Sequence, residues 1–77
     1  MPSVKEILSH LSNPTKDERA LVEHAYTFAE KAHSEHVRYS GEPYMLHLAT
    51  VGHKLAAMGM GPRTIAAGLL HDSIEDT

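Results

Sequence analysis

Cysteine and tryptophan are absent from this chain, and phenylalanine occurs once. Without cysteine there is neither a disulfide framework nor a thiolate zinc site. Long apolar runs are missing as well. Nothing approaches the ~20 consecutive apolar residues of a membrane span, and Met1 to Leu11 carry charges where a signal peptide needs an uninterrupted apolar core. No membrane partner is expected, and a cytoplasmic location is. Positive charge is also scarce: seven Lys and Arg stand against ten Asp and Glu, a formal net charge of -3. They form no basic stripe of the kind that a phosphate backbone requires, so nucleic acid is not an expected partner.

The 77 residues leave room for one small domain. A chain this short buries only about 60% of its unfolded surface on folding, so its stability must come from helix packing or from association. What the chain has in excess is histidine, seven in all, at positions 10, 24, 33, 36, 47, 53 and 71.

The apolar periodicity is helical throughout and predicts an all-α fold. Ser3 with Glu6, and Thr15 with Glu18, have capping-box spacing, in which a hydroxyl and a carboxylate satisfy the orphan amides of a helix start. The first helix is expected over about 4–11 and the second over 16–34. Leu21, Val22, Ala25, Phe28, Ala29 and Ala32 gather on one stripe of the second helix, which reads as core. The segment from Val37 to Pro43 has no helical period and reads as a polar loop, a good place for ligand contacts. Pro43 suits a first helical turn, and Tyr44, Leu48, Val51, Leu55 and Met58 mark a third helix over 43–58. After Gly59 to Pro62, the residues Ile65, Ala66, Leu69, Leu70 and Ile74 mark a fourth. Tyr26, Phe28, Tyr44 and the methionines are expected in the core.

The fourth helix ends in His71-Asp72-Ser73-Ile74-Glu75-Asp76. At about 100° per residue, positions 71, 72, 75 and 76 share an arc of roughly 140°. Leu70 and Ile74 fall on the other side, and Gly68, one turn back, leaves space above the backbone. Three carboxylates beside an imidazole repel one another unless they are solvated or neutralised, and a divalent cation neutralises them. A solvated acidic helix end and a metal site both account for the pattern. Acidic groups at a helix C-terminus lie at the unfavourable end of the macrodipole, which weighs against the first. For the second, His71 and Asp72 need a further ligand from elsewhere, and His47 on the preceding antiparallel helix is the candidate.

Residues Ala25 to Thr77 resemble the hydrolase domain of the RelA/SpoT family, whose enzymes handle the alarmone (p)ppGpp. The resemblance runs in order through Ala25-Tyr26, Phe28-Ala29-Glu30, Ala32-His33, Arg38-Tyr39-Ser40-Gly41-Glu42-Pro43-Tyr44, His47, Leu69-Leu70-His71-Asp72 and Glu75-Asp76-Thr77. It implies a helical HD-type metal-dependent phosphohydrolase domain over 1–77. In this family His47, His71 and Asp72 correspond to three of four metal ligands, and the metal is usually manganese. The resemblance further implies that Glu75 and Asp76 assist catalysis through proton handling and orientation of the attacking water. Arg38 corresponds to the residue that packs its guanidinium on the guanine base, and Ser40 lies beside the same nucleotide. The implied reaction is 3′-pyrophosphate hydrolysis of (p)ppGpp.

The family's fourth ligand is an aspartate far downstream, so the resemblance covers the N-terminal part of the domain and implies an incomplete four-helix portion. The chain also has Glu35-His36 where the family usually has Gly-Gln, and Leu48 where it has Pro. Glu35 brings an extra carboxylate toward the nucleotide loop, which disfavours a polyphosphate. His33 occupies a family position and is expected to be structural. His10, His24, His36 and His53 are expected to carry no site function, with His53 about 120° around its helix from His47. Two readings of function follow. One is a (p)ppGpp hydrolase or its N-terminal piece. The other is a catalytically incomplete remnant that uses an uncovered apolar face for self-association or protein binding. An HD phosphohydrolase of another nucleotide is a weaker third, since it would not need Arg38 and Ser40. A homo-oligomer is expected.

Overall fold

The two hydroxyl caps start helices where their spacing places them. Ser3 accepts a hydrogen bond from the Glu6 amide and opens α1, Val4–Ser9. Thr15 accepts from the Glu18 amide while Glu18 Oε1 accepts from the Thr15 amide at 2.8 Å, a complete box that opens α2, Lys16–Ala32. Two further helices follow, α3 over Tyr44–Ala57 and α4 over Pro62–Glu75. The computed structural model describes residues 1–37 and 40–75, with side chains as far as residue 71. Among these residues the only β pairing is an isolated antiparallel bridge between Val37 and Pro43, and the fold is all-α as expected.

Helix ends differ slightly from the periodicity. α1 stops at Ser9 because the His10 amide turns back to the Ile7 and Leu8 carbonyls, and Asn13 follows with a φ of 48°. α2 ends at Ala32, where His33 takes a φ of -117°. Pro43 lies outside the first turn of α3, as its N-cap. These are shifts of one or two residues, where fraying and cap geometry govern.

The core is built from Ile7 on α1, Val22, Ala25, Tyr26 and Ala29 on α2, Met45, Leu48, Ala49 and Ala56 on α3, and Ile65, Ala66 and Leu69 on α4. α4 lies between α2 and α3 and packs on both. The α3–α4 contact is close. A Cβ on Gly52 would lie 2.9 Å from Leu69 Cδ2, and one on Gly68 would lie 2.6 Å from Leu55 Cδ1. Gly68 therefore faces α3 and lets it approach; it does not open space on a polar face as its position in the pattern implies.

Several residues expected in the core are outside it. Phe28 is 54% exposed, Leu21 40% and Met58 68%. Met1 and Met60 are exposed as well, and of the four methionines Met45 alone is buried. On α2 the stripe is wider than the surface available to cover it. Val22, Ala25 and Ala29 are buried, while Leu21 and Phe28 remain open and line an apolar patch together with Ala25, His24 and Leu70.

Tyr26 ties the N-terminus to α2, because its hydroxyl donates to the Pro2 carbonyl at 2.9 Å. Burial, then the neighbouring charges of Glu30 and Glu6, raise its pKa above the ordinary 10.0. The fold thus favours the neutral phenol. That contribution to stability is complete below pH 10.0 and is lost as pH rises through the raised folded value. Tyr26→Phe is expected to lose about 1 kcal/mol at neutral pH and to show a flatter loss of stability at alkaline pH, both read from urea melts across the pH range.

Candidate functional site

α3 and α4 are joined by a short connection and run antiparallel, which the cross-helix contacts of Gly52 with Leu69 and of Gly68 with Leu55 and Val51 fix in register. Continuing that register toward the start of α3 and the end of α4 brings His47 opposite His71. Their ring centroids lie 6.4 Å apart at an interplanar angle of 66°. His47 is half-buried and His71 exposed, so the pair sits at the rim of the groove, open to solvent.

His71 is oriented by its own helix. Its Nδ1 lies 2.6 Å from the Gly68 carbonyl oxygen. A carbonyl only accepts, so Nδ1 carries the proton and the ring's lone pair is on Nε2, the nitrogen a cation would take. Gly68 thus acts twice: its missing side chain admits α3, and its carbonyl sets the His71 tautomer.

A row of rings leads from this pair to the loop. Tyr44, one turn before His47, meets it edge to face at 5.9 Å, and stacks on His33 at 4.7 Å with an interplanar angle of 19°. His33 is 1% exposed, the one buried polar side chain among the described residues. Its Nδ1 lies 2.9 Å from Nδ1 of His36, so one ring donates and the other accepts. The His36 carbonyl in turn accepts from the Tyr44 amide at 2.9 Å. With the Val37–Pro43 bridge and Gly41 at a φ of 87°, this closes the loop into a tight return onto α3. Two side chains outside the expected site therefore support it. Tyr44 was expected only as core, and His36 only as a loop residue. The available signal was the three-residue spacing of His33 with His36 and of Tyr44 with His47, which puts each pair on one helical face or turn.

The remaining expected site residues are distributed as follows. Ser40 is exposed at the tip of the loop. Asp72 and Glu75 belong to α4, and their side chains lie outside the described residues, as do Arg38 and Asp76 entirely. Among the described residues no three His, Cys, Asp or Glu side chains are gathered in a metal-binding group. What is gathered is the His47–His71 pair. Imidazoles that share one ion have centroids about 5 Å apart at a tetrahedral angle and roughly 6.5 Å apart when opposite one another across it, so the 6.4 Å separation fits only the second arrangement as it stands.

The family model for the HD domain matches residues 25–77, and the chain belongs to that family. Its curated relatives are (p)ppGpp enzymes of the RelA/SpoT kind. It is 42% identical over 74 residues to the guanosine-3′,5′-bis(diphosphate) 3′-pyrophosphohydrolase of Aquifex aeolicus, across 96% of this chain and 10% of that protein. It is 40% identical over 62 residues to the bifunctional (p)ppGpp synthase/hydrolase RelA of Mycobacterium tuberculosis, across 80% of this chain and 8% of the relative. A GTP pyrophosphokinase of Streptomyces coelicolor is 50% identical over 56 residues, 73% of this chain and 7% of the relative. The chain thus spans about a tenth of the length of these relatives.

The hydrogen bond to Gly68 makes a direct prediction. In long-range ¹H–¹⁵N spectra of neutral His71, the proton is expected on Nδ1. A spectrum showing the Nε2–H tautomer would contradict the geometry.

Proposed function

We propose that this chain is the metal-binding, N-terminal part of a (p)ppGpp 3′-pyrophosphohydrolase domain. The observation that carries the reading is the facing of His47 and His71 across the α3–α4 groove, in a chain whose residues 25–77 match the HD family. The printed activity of the Aquifex relative supports the substrate.

In this reading His47, His71 and Asp72 hold a divalent cation, and manganese is the ion assigned. Membership of the HD family supports a divalent metal, and imidazole with carboxylate is a donor set that suits manganese, iron, zinc or nickel. When bound, the cation supplies a Lewis acid that acidifies water and offsets phosphate charge. The chain's own residues do the rest. Gly68 holds His71 with its lone pair on Nε2. Tyr44, itself stacked on His33, meets His47 edge to face and braces it. Glu75 and Asp76 are assigned to proton handling, taking the proton of the attacking water and returning one to the departing 3′ oxygen. Pyrophosphate leaves, and GDP or GTP remains. Arg38 is assigned to stack on the guanine, a role that a planar guanidinium fills better than an ammonium, and Ser40 to contact the same nucleotide. The site of action is placed in the cytoplasm.

Incubation with Mn²⁺ and ppGpp is expected to release pyrophosphate. His71→Ala and Asp72→Ala are each expected to reduce release by more than about 100-fold, since losing a ligand exceeds losing the partner that orients one. Absence of any metal-dependent release would put the catalytically incomplete reading ahead, and absence of Mn²⁺ binding would overturn the metal site.

A second reading rests on the open patch of Leu21, Phe28 and Leu70. Apolar surface of this kind is commonly covered by a partner, and we assign it to self-association of the chain as a homo-oligomer, with or without catalysis. Light scattering after size exclusion is expected to give a mass above that of the 8.5 kDa chain. A monomer at high concentration would remove this reading and leave the first intact.

A further inference from the structure

We propose that His10 and His53 form a metal site, separate from His47 and His71, for a tetrahedral transition ion, namely zinc. The sequence keeps these residues apart and without a role; the fold brings them together. His10 is the C-cap of α1 and His53 lies in the middle of α3. Packing of α1 on α3, with Ile7 fully buried between them, sets the two rings side by side.

Two independent measures agree with a shared tetrahedral ion. Two nitrogens each ~2.0–2.1 Å from zinc at a tetrahedral angle lie roughly 3.3 Å apart, with ring centres about 5 Å apart. The Nε2 atoms of His10 and His53 are 3.2 Å apart and their ring centroids 4.9 Å apart. The interplanar angle of 79° keeps the rings from stacking, and the nitrogens that approach each other are the two Nε2 atoms. Without a cation one neutral ring donates its Nε2 proton to the other. Zinc binding changes the tautomer of the donating ring, whose proton passes through solvent from Nε2 to Nδ1, so that both Nε2 lone pairs meet the ion and each ring holds its one proton on Nδ1.

The site is distinct from the His47–His71 pair. His53 is six residues beyond His47, about 9 Å along α3 and about 120° around it. His10 also precedes residues 25–77, the stretch matched by the HD family model. No third His, Cys, Asp or Glu joins the pair among the described residues. His10 is exposed and His53 half-buried, so water completes the coordination and the ion remains exchangeable. Imidazole donors favour zinc, copper and nickel over magnesium or calcium. The effect on the protein is a clamp between α1 and α3, because an ion that binds only the folded arrangement stabilises it.

The test uses the chain itself and zinc chloride. Long-range ¹H–¹⁵N spectra during titration are expected to show the His10 and His53 Nε2 resonances moving together within the first equivalent, with both Nδ1 protonated. In competition with a chromophoric chelator, His10→Gln and His53→Gln are each expected to weaken this zinc binding by about 10-fold or more, whereas His71→Ala leaves it unchanged. Zinc should raise the Tm of His71→Ala but not of His71→Ala combined with either glutamine substitution; the His71→Ala background removes the contribution of the other histidine pair. Zinc shifts confined to other imidazoles, or unchanged affinity in both glutamine variants, would overturn the proposal. The spectra of the parent chain decide the matter even where a variant folds poorly.

Discussion

The close approach of α3 and α4 is the constraint on which the rest of the structure depends. Two glycines permit it: Gly52 stands against Leu69, and Gly68 against Leu55. Leu69 is fully buried, so it has little room to yield to an added methyl group. This separation fixes the antiparallel register, and the register brings His47 and His71 to face each other. A wider helix pair, as larger residues would impose, would carry the two imidazoles beyond the reach of one ion.

Among the described residues a row of rings supports the candidate site. His33, Tyr44 and His47 form a continuous row, and the buried His33 is satisfied through His36 and by its stack on Tyr44. A buried polar group without a partner costs about 1–3 kcal/mol, roughly twice what a satisfied one contributes. The row therefore holds only when the loop is folded back, with the His36 carbonyl accepting from Tyr44. The arrangement couples the loop that carries Ser40 to the groove that carries His47. The same economy recurs at α1, where His10 reaches α3 through His53.

Much of the architecture could be read from the chain. Caps at Ser3 and Thr15, the loop before Pro43 and the break at Gly59 placed four helices within a residue or two of their ends. The family motif named His47, His71 and Asp72 as a set and placed the first two on neighbouring helices. Depth was harder to read. Leu21, Phe28 and Met58 satisfy the helical period but lie where no neighbouring helix covers them, because periodicity reports a direction on a helix and not what packs there. The pattern implies clearance at Gly68 on a polar face, whereas packing sets Gly68 against Leu55. His10, His36 and His53 had no motif to mark them, since their partners are set by how α1 and the loop fold onto α3.

The sequence by itself determined the helices, their order and which residue types gather at the end of α4, since these depend on residues a few positions apart. Tertiary structure decided which apolar residues are buried, how closely α3 and α4 approach, and which histidines meet. Those outcomes depend on contacts between residues distant in the chain, such as His47 with His71 and His10 with His53. The donor types of the proposed metal site can be read along one helix. The distances that would let it operate exist only between helices.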